Sequence, residues 1–170
     1  MRSSGEQKLK EDDKILYEIE TTNRAEIIFF SDKQNVYKLK ASDANEHKAS
    51  GMGDYLTNVL NLEEDEKIIY MTTTYDYKGN MLYMFENGKA TKVPLEAYQT
   101  KTNRKKLINA YSGKSPLIFM SFMEDEADFV VIRDTDKACL FSSSLLSFSA
   151  TKNAVGVQVY TLKKNSRITN

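Results

Sequence analysis

Apolar and polar residues alternate in short runs along this chain, and the runs come in pairs. Glu26-Ile27-Ile28-Phe29-Phe30 is β-branched and aromatic, Ser31-Asp32-Lys33-Gln34-Asn35 has turn chemistry, and Val36-Tyr37-Lys38-Leu39-Lys40 predicts a returning strand. The same order recurs from Met81 to Phe85, through Glu86-Asn87-Gly88, to Lys89–Val93, where Asn-Gly readily supplies the positive φ of a tight hairpin. In that second strand Lys89, Thr91 and Val93 share one face and Ala90 and Lys92 the other. A third copy runs from Phe129-Val130-Val131-Ile132, through the turn Arg133-Asp134-Thr135-Asp136, to Lys137-Ala138-Cys139-Leu140-Phe141.

Each pair is followed by a polar or basic segment and a further apolar run: Lys67–Met71 in the first copy, Leu117–Phe122 in the second, Val155–Val159 in the third. Lys14–Glu20 alternates and predicts a strand, and Leu9 to Ile15 has the spacing of Leu162 to Ile168, so residues 1–22 read as the tail of an upstream unit. The units are then 23–76, 77–124 and 125–170. A period of about 50 residues with about four short strands per unit predicts an all-β, propeller-like array of about three blades. A β-sandwich of the same strands is the second choice. Helix content is expected to be low, with one turn at Pro94–Tyr98, since proline is accepted at a first helical position.

Composition supports a packed core: 41% of the 170 residues are hydrophobic and 11% aromatic. The longest apolar runs fall far short of the roughly 20 residues that span a bilayer, and the N-terminus has no signal-like apolar core, so a cytoplasmic, membrane-free protein is expected. One cysteine, Cys139, and one histidine, His47, leave no disulfide framework and no thiolate–imidazole zinc site.

The formal net charge is zero, but it is unevenly spread. Residues 1–78 hold 11 basic and 16 acidic side chains, whereas residues 79–122 hold 7 basic and 2 acidic ones, and residues 127–170 hold 6 and 3. Because phosphate binding follows local potential, this polarity keeps a polyanion partner open. The candidate cations are Lys38, Lys40 and Lys48 in the first unit, Lys89, Lys92, Lys101, Arg104, Lys105 and Lys106 in the second, and Lys137, Lys152, Lys163 and Lys164 in the third. Lysines on strand faces also guard sheet edges and keep a protein soluble, but four cations between Lys101 and Lys106 repel one another and favour a binding role.

Catalytic chemistry finds little support. His47 beside Glu46 is a weak general base, Cys139 lies in an apolar strand, and neither Gly51-Met52-Gly53 nor Ser112-Gly113-Lys114 has phosphate-loop spacing. Tyr98 and Tyr111 flank the basic loop and are expected to be buried, and the acidic runs Glu63–Glu66 and Glu124–Glu126 to be solvated turns without a calcium-loop pattern.

The ordered series EIIFFSDKQNVYKLKASDANEHKASGMGDYLTNVLNLEEDEKI, LYMFENGKATKVPLEAYQTKTNRKKLINAYSGKSPLI, FVVIRDTDKACLF and GVQVYTLKKNSRI resembles the C-terminal domain of the gyrase A protein, the DNA gyrase chain of that name, with its topoisomerase IV relatives. That resemblance, over about Ser4 to Ile168, implies a fragment of a six-bladed β-pinwheel whose basic perimeter wraps double-stranded DNA. It further implies a non-catalytic piece, without cofactor, of an ATP-dependent type II topoisomerase that changes DNA supercoiling and works with a gyrase B-type subunit. Two departures stand out. The family's Q-R-R-G-G-K-G box is absent, and Gln34-Asn35 and Thr135-Asp136 stand where a turn glycine is usual, with Asn35 able to take a left-handed conformation. Open blade edges leave room for a homo-oligomer, and a protein-binding adaptor with no DNA role is the alternative function.

Overall fold

The computed structural model describes residues 14–48, 51–102, 104–132 and 138–160. Ten strands form three antiparallel sheets among these residues. The strands are β1 (Glu26–Ser31), β2 (Val36–Lys40), β3 (Ile68–Thr74), β4 (Asn80–Phe85), β5 (Lys89–Pro94), β6 (Lys106–Leu107), β7 (Leu117–Met123), β8 (Asp128–Ile132), β9 (Ala138–Ser142) and β10 (Val157–Gln158). The single α-helix among the described residues is α1 (Leu56–Leu60), and one 3-10 turn covers Leu95–Tyr98 with Pro94 at its entry.

The first two sheets have one plan. The first is ordered β3-β1-β2-β6 and the second β7-β4-β5-β10, while β8 and β9 form a two-stranded sheet among the described residues. Each four-stranded sheet therefore takes three strands from its own unit and its outermost strand from the next one. Sheets run across the sequence units, because the segment after each hairpin reaches back to cover the preceding unit's open edge. Tyr37 is paired with Lys106 and Val36 with Leu107 in one exchange, Ala90 with Val157 and Lys89 with Gln158 in the other.

The two described hairpins have the same register. Phe30 pairs with Val36 and Met84 with Ala90, so residues 31–35 match residues 85–89 and Gln34 takes the place of Gly88. Gly88 has φ +79 and its amide donates to Phe85 O at 2.9 Å; Asn87 is not left-handed, so the turn uses one positive φ, at its last position. In the first hairpin it is Gln34, at φ 57, that takes the left-handed conformation, and not Asn35 as the sequence suggests. Asn35 is instead buried, its side chain donating to Glu66. The third turn, 133–136, lies outside the described residues.

Sheets stack face to face through hydrophobic seams. Ile28, Phe30 and Val36 of the first blade pack on Met81, Tyr83, Phe85 and Val93 of the second. Leu82, Met84 and Ala90, on the other face of the second blade, pack on Val131, Phe141 and Leu146 of the third. The opposite face of the first blade, with Phe29 and Leu39, is covered by Leu60 and Val59 of α1. Both faces of β4 and β5 are thus buried, and β4 accordingly reads as a continuous apolar run from Met81 to Phe85, whereas β5 keeps the buried polar residues Thr91 and Lys92.

Lys14–Glu20 is exposed and carries no strand, although Tyr17 OH donates to Ile69 O at 2.6 Å and its ring meets Tyr70 edge-on at 6.0 Å. Alternation there is real, but its backbone has no ladder partner among the described residues. No helix among the described residues is long and apolar enough to cross a membrane.

Candidate nucleic-acid interface

The basic loop after the 3-10 turn is held by strand exchange. β6 joins the edge of β2, and Lys38 N donates to Lys105 O at 2.8 Å just before the two-residue ladder begins. This places Arg104 and Lys105, from the second unit, beside Lys38 and Lys40, from the first. The four line one open cavity of about 330 Å³, with Thr100 and Tyr77 on its walls. Lys152, from the third unit, is not among the lining residues; its Nζ lies 5.9 Å from the Tyr98 ring centroid.

Within this group Lys38 is 5% exposed, its Nζ donating to Thr100 Oγ1 at 2.6 Å and lying 5.7 Å from the Tyr77 ring centroid. Burial depresses its pKa, Glu26 opposes that and Lys152 reinforces it. An arriving anion would oppose the Lys152 repulsion by favouring the charged ammonium, while the burial effect would remain. Glu26 and Asp43 also line the cavity, and the Glu26 carboxylate accepts the Tyr77 hydroxyl, whose own pKa is pushed up by burial and by that contact. Lys40, Arg104 and Lys105 are exposed, as is Lys101 on the same loop.

The other candidates go elsewhere. Lys106 is tied to Glu63, which raises its pKa, and its Nζ stands 5.4 Å from the Tyr37 ring centroid. Lys92 is buried: its Nζ contacts Glu126 Oε1 at 2.6 Å and Ser143 O at 3.0 Å and lies over Phe148. With its ammonium spent inside the seam between the second and third blades, Lys92 has none of the access a phosphate contact requires. Lys38 and Lys92 hold equivalent strand positions, and each is buried by residues of the unit that follows. Lys89 is half-buried beside β10, Lys48 is exposed away from the cavity lining, and Lys137, Lys163 and Lys164 lie outside the described residues.

Tyr98 and Tyr111 are buried as expected. Tyr98 OH donates to Ala110 O at 2.8 Å and meets Tyr83 OH at 2.6 Å, while Tyr111 OH donates to Ser31 O at 2.7 Å. His47 Nε2 lies 3.1 Å from Asp54 Oδ2 on the surface, and Cys139 is half-buried and not a core residue. Sequence reasoning missed Thr100 and Tyr77 as walls of the cavity. Neither carries charge, and the loop reversals that bring them to Lys38 leave no local signal.

No known family model matches the chain. The chain is 24% identical over 123 residues to the gyrase A protein of Lawsonia intracellularis, covering 72% of this chain and 15% of that protein. It is 25% identical over 139 residues to the gyrase A protein of Mycoplasma pneumoniae, covering 81% and 15%. The chain thus spans 15% of the length of these curated relatives. A solved C-terminal domain of DNA topoisomerase IV superposes with TM-score 0.82 at 20% identity, over 98% of this chain and 52% of that one. The E. coli ParC C-terminal domain superposes with TM-score 0.69 at 13% identity, over 89% and 63%. The resemblance read from the blade pattern holds, and the fold is the β-pinwheel of these domains.

Proposed function

We propose that this chain is a DNA-binding module of a gyrase A or topoisomerase IV protein, holding and curving duplex DNA on its basic rim. The observation that carries the reading is the convergence of the exposed Lys40, Arg104 and Lys105, beside the buried Lys38, from two sequence units onto one cavity. Similarity to gyrase A proteins supports the assignment to that kind of complex, in which ATP-driven supercoiling and a gyrase B-type partner belong to the parent enzyme in the cytoplasm.

The physics is counterion exchange. Each phosphate neutralised by a lysine or arginine releases condensed cations, lowering log K by about 0.9 for every tenfold rise in salt. Bending a site of 20 to 30 base pairs costs on the order of 1 to 6 kcal/mol, so the rim must act through several cations at once. Contacts to phosphate carry no base information, and binding is expected to be insensitive to sequence. Fluorescence anisotropy with duplexes of equal length and different sequence tests this: affinities within a few-fold of each other support backbone binding, and strong discrimination or no binding at low salt contradicts it.

A further inference from the structure

One backbone hydrogen bond recurs in all three units and aligns them where neighbouring blades meet. Ala41 N donates to Ala25 O at 2.9 Å, Leu95 N to Gly79 O at 3.0 Å and Ser143 N to Ala127 O at 2.9 Å. The residues just before the acceptors, Arg24, Lys78 and Glu126, are therefore equivalent. So are Thr100 and Phe148, which follow Leu95 and Ser143 at the same distance along the chain. Lys38 and Lys92 correspond through the pairs Ile28↔Lys38 and Leu82↔Lys92.

The seam between the second and third blades neutralises its lysine from within. Lys92 Nζ contacts Glu126 Oε1 at 2.6 Å and Ser143 O at 3.0 Å, and the Phe148 ring centroid lies 4.7 Å from it. At the seam between the first and second blades both of these neighbours are exchanged. Lys78 stands where Glu126 does, a cation in place of a carboxylate, and pairs with Asp76 at 2.8 Å on the surface. Thr100 stands where Phe148 does, and beside it the cavity of about 330 Å³ is open. Its hydroxyl accepts Lys38 Nζ at 2.6 Å and donates to Thr102 O at 2.9 Å. An ammonium carries three N–H donors, so two on Lys38 find no oxygen acceptor among the described residues, and Tyr77 offers only its ring face. Glu26 and Asp43 also line the cavity, yet neither forms an ion pair with Lys38 among the described residues.

We propose that the cavity between the first and second blades binds a phosphate group, with one oxygen on Lys38 Nζ in the place that Glu126 Oε1 takes on Lys92. A buried ammonium with a single hydroxyl acceptor is an incompletely compensated charge, and an entering oxyanion supplies the missing acceptors. Glu126 is the stand-in for that ligand within the same chain. Phosphate fits better than a lone carboxylate, because Lys40, Arg104 and Lys105 line the same space and set four cations against two carboxylates. Its additional oxygens reach several of them at once, and a guanidinium such as that of Arg104 can grip two. The site differs from the rim contact proposed above: exposed cations meet phosphates that lie across the surface, whereas Lys38 is reached only by a group that enters. It does not require the rim to hold DNA.

The test uses the whole 170-residue chain with its lysine ammonium groups labelled with nitrogen-15, the Lys38 signal being the one that Lys38→Met removes. Inorganic phosphate at neutral pH is expected to shift that signal saturably, while acetate at matched ionic strength leaves it in place. Lys78→Glu, an exposed change that restores the carboxylate of the other seam, should weaken phosphate about 10- to 100-fold by occupying the same donors, with circular dichroism unchanged. Titration with a DNA duplex separates the two sources of the group: a response to inorganic phosphate alone assigns a free ion, and a response to the duplex assigns a backbone phosphate. A Lys38 signal unmoved by both, one moved equally by acetate, or a phosphate response that survives Lys78→Glu unchanged would overturn the inference. Duplex binding by anisotropy with the Lys38 signal fixed under both titrants removes this site and leaves the rim reading standing; a phosphate-responsive Lys38 without duplex binding does the reverse.

Discussion

Glu66 belongs to a run of acids that reads as a solvated turn, yet its carboxylate is buried and accepts four donors. These are Ser31 Oγ, Asn35 Nδ2 at 2.8 Å, Tyr37 OH at 2.6 Å and the Glu63 amide at 2.9 Å. Burial alone would raise its pKa, but the four hydrogen bonds overcome that and bring it to about 2, from 4.5. A depressed carboxylate contributes stability that is complete above the unfolded-state pKa and is lost as pH falls through the folded one. Glu66 is therefore worth about 3 kcal/mol at neutral pH, lost progressively from about pH 4.5 down to pH 2. Glu66→Gln turns one acceptor into a donor facing Asn35, so urea titrations should show a loss of about 2 to 3 kcal/mol at pH 7 and a much weaker acid dependence. Gln34 offers a gain instead. Because it holds the left-handed position that Gly88 fills in the second hairpin, Gln34→Gly relieves about 1 kcal/mol of backbone strain but gives up the Gln34 Nε2 hydrogen bond to Asp32 O, so the net gain should be about 0.5 kcal/mol, a rise of roughly 1 to 2 °C in Tm by scanning calorimetry. The need for one left-handed residue was legible in the sequence; which residue supplies it was not, because Asn35 is claimed by Glu66, 31 positions away.

Among the elements, hairpins were the most legible, because period-two alternation and turn chemistry are local signals. β2 spans the residues its pattern predicts, and β4 and β5 differ from theirs by one residue. The exchanged strands were not legible as such: β6 and β10 have two residues each, and their partners lie in the preceding unit. The burial of lysines was hidden for the same reason, since Lys92 alternates like a solvent-facing residue until Glu126 and Ser143 of the next unit close over it. The seam predicts an asymmetry. Glu126→Ala strands a buried ammonium and should cost about 2 kcal/mol, below the roughly 3 to 5 kcal/mol of a fully buried pair because Glu126 is itself part-exposed. Lys92→Met removes the charge while keeping its length and should cost less than Glu126→Ala in the same chemical denaturation experiment, leaving Glu126 to water.

For the molecule as a whole, a formal net charge of zero conceals a rim where the exposed cations Lys40, Arg104 and Lys105 gather beside the buried Lys38. That polarity was legible from the uneven charge along the chain, whereas the grouping of cations from two units required the strand exchange that draws the basic loop back onto β2. The central claim is that this rim holds duplex DNA through its phosphates. It is tested most directly by anisotropy titration of a duplex of about 40 base pairs over a salt series, with the wild-type chain and with Lys40→Gln/Arg104→Gln/Lys105→Gln. The wild type should show a log–log salt slope of about −3 to −4, from the three or four phosphate contacts that the exposed Lys40, Arg104, Lys105 and Lys101 can make. The triple substitution should flatten that slope by roughly 2 to 3 and weaken binding about a hundredfold or more near 0.1 M salt, with Tm unchanged. Wild-type affinity indifferent to salt, or a triple variant that binds as tightly as the wild type, would contradict the account.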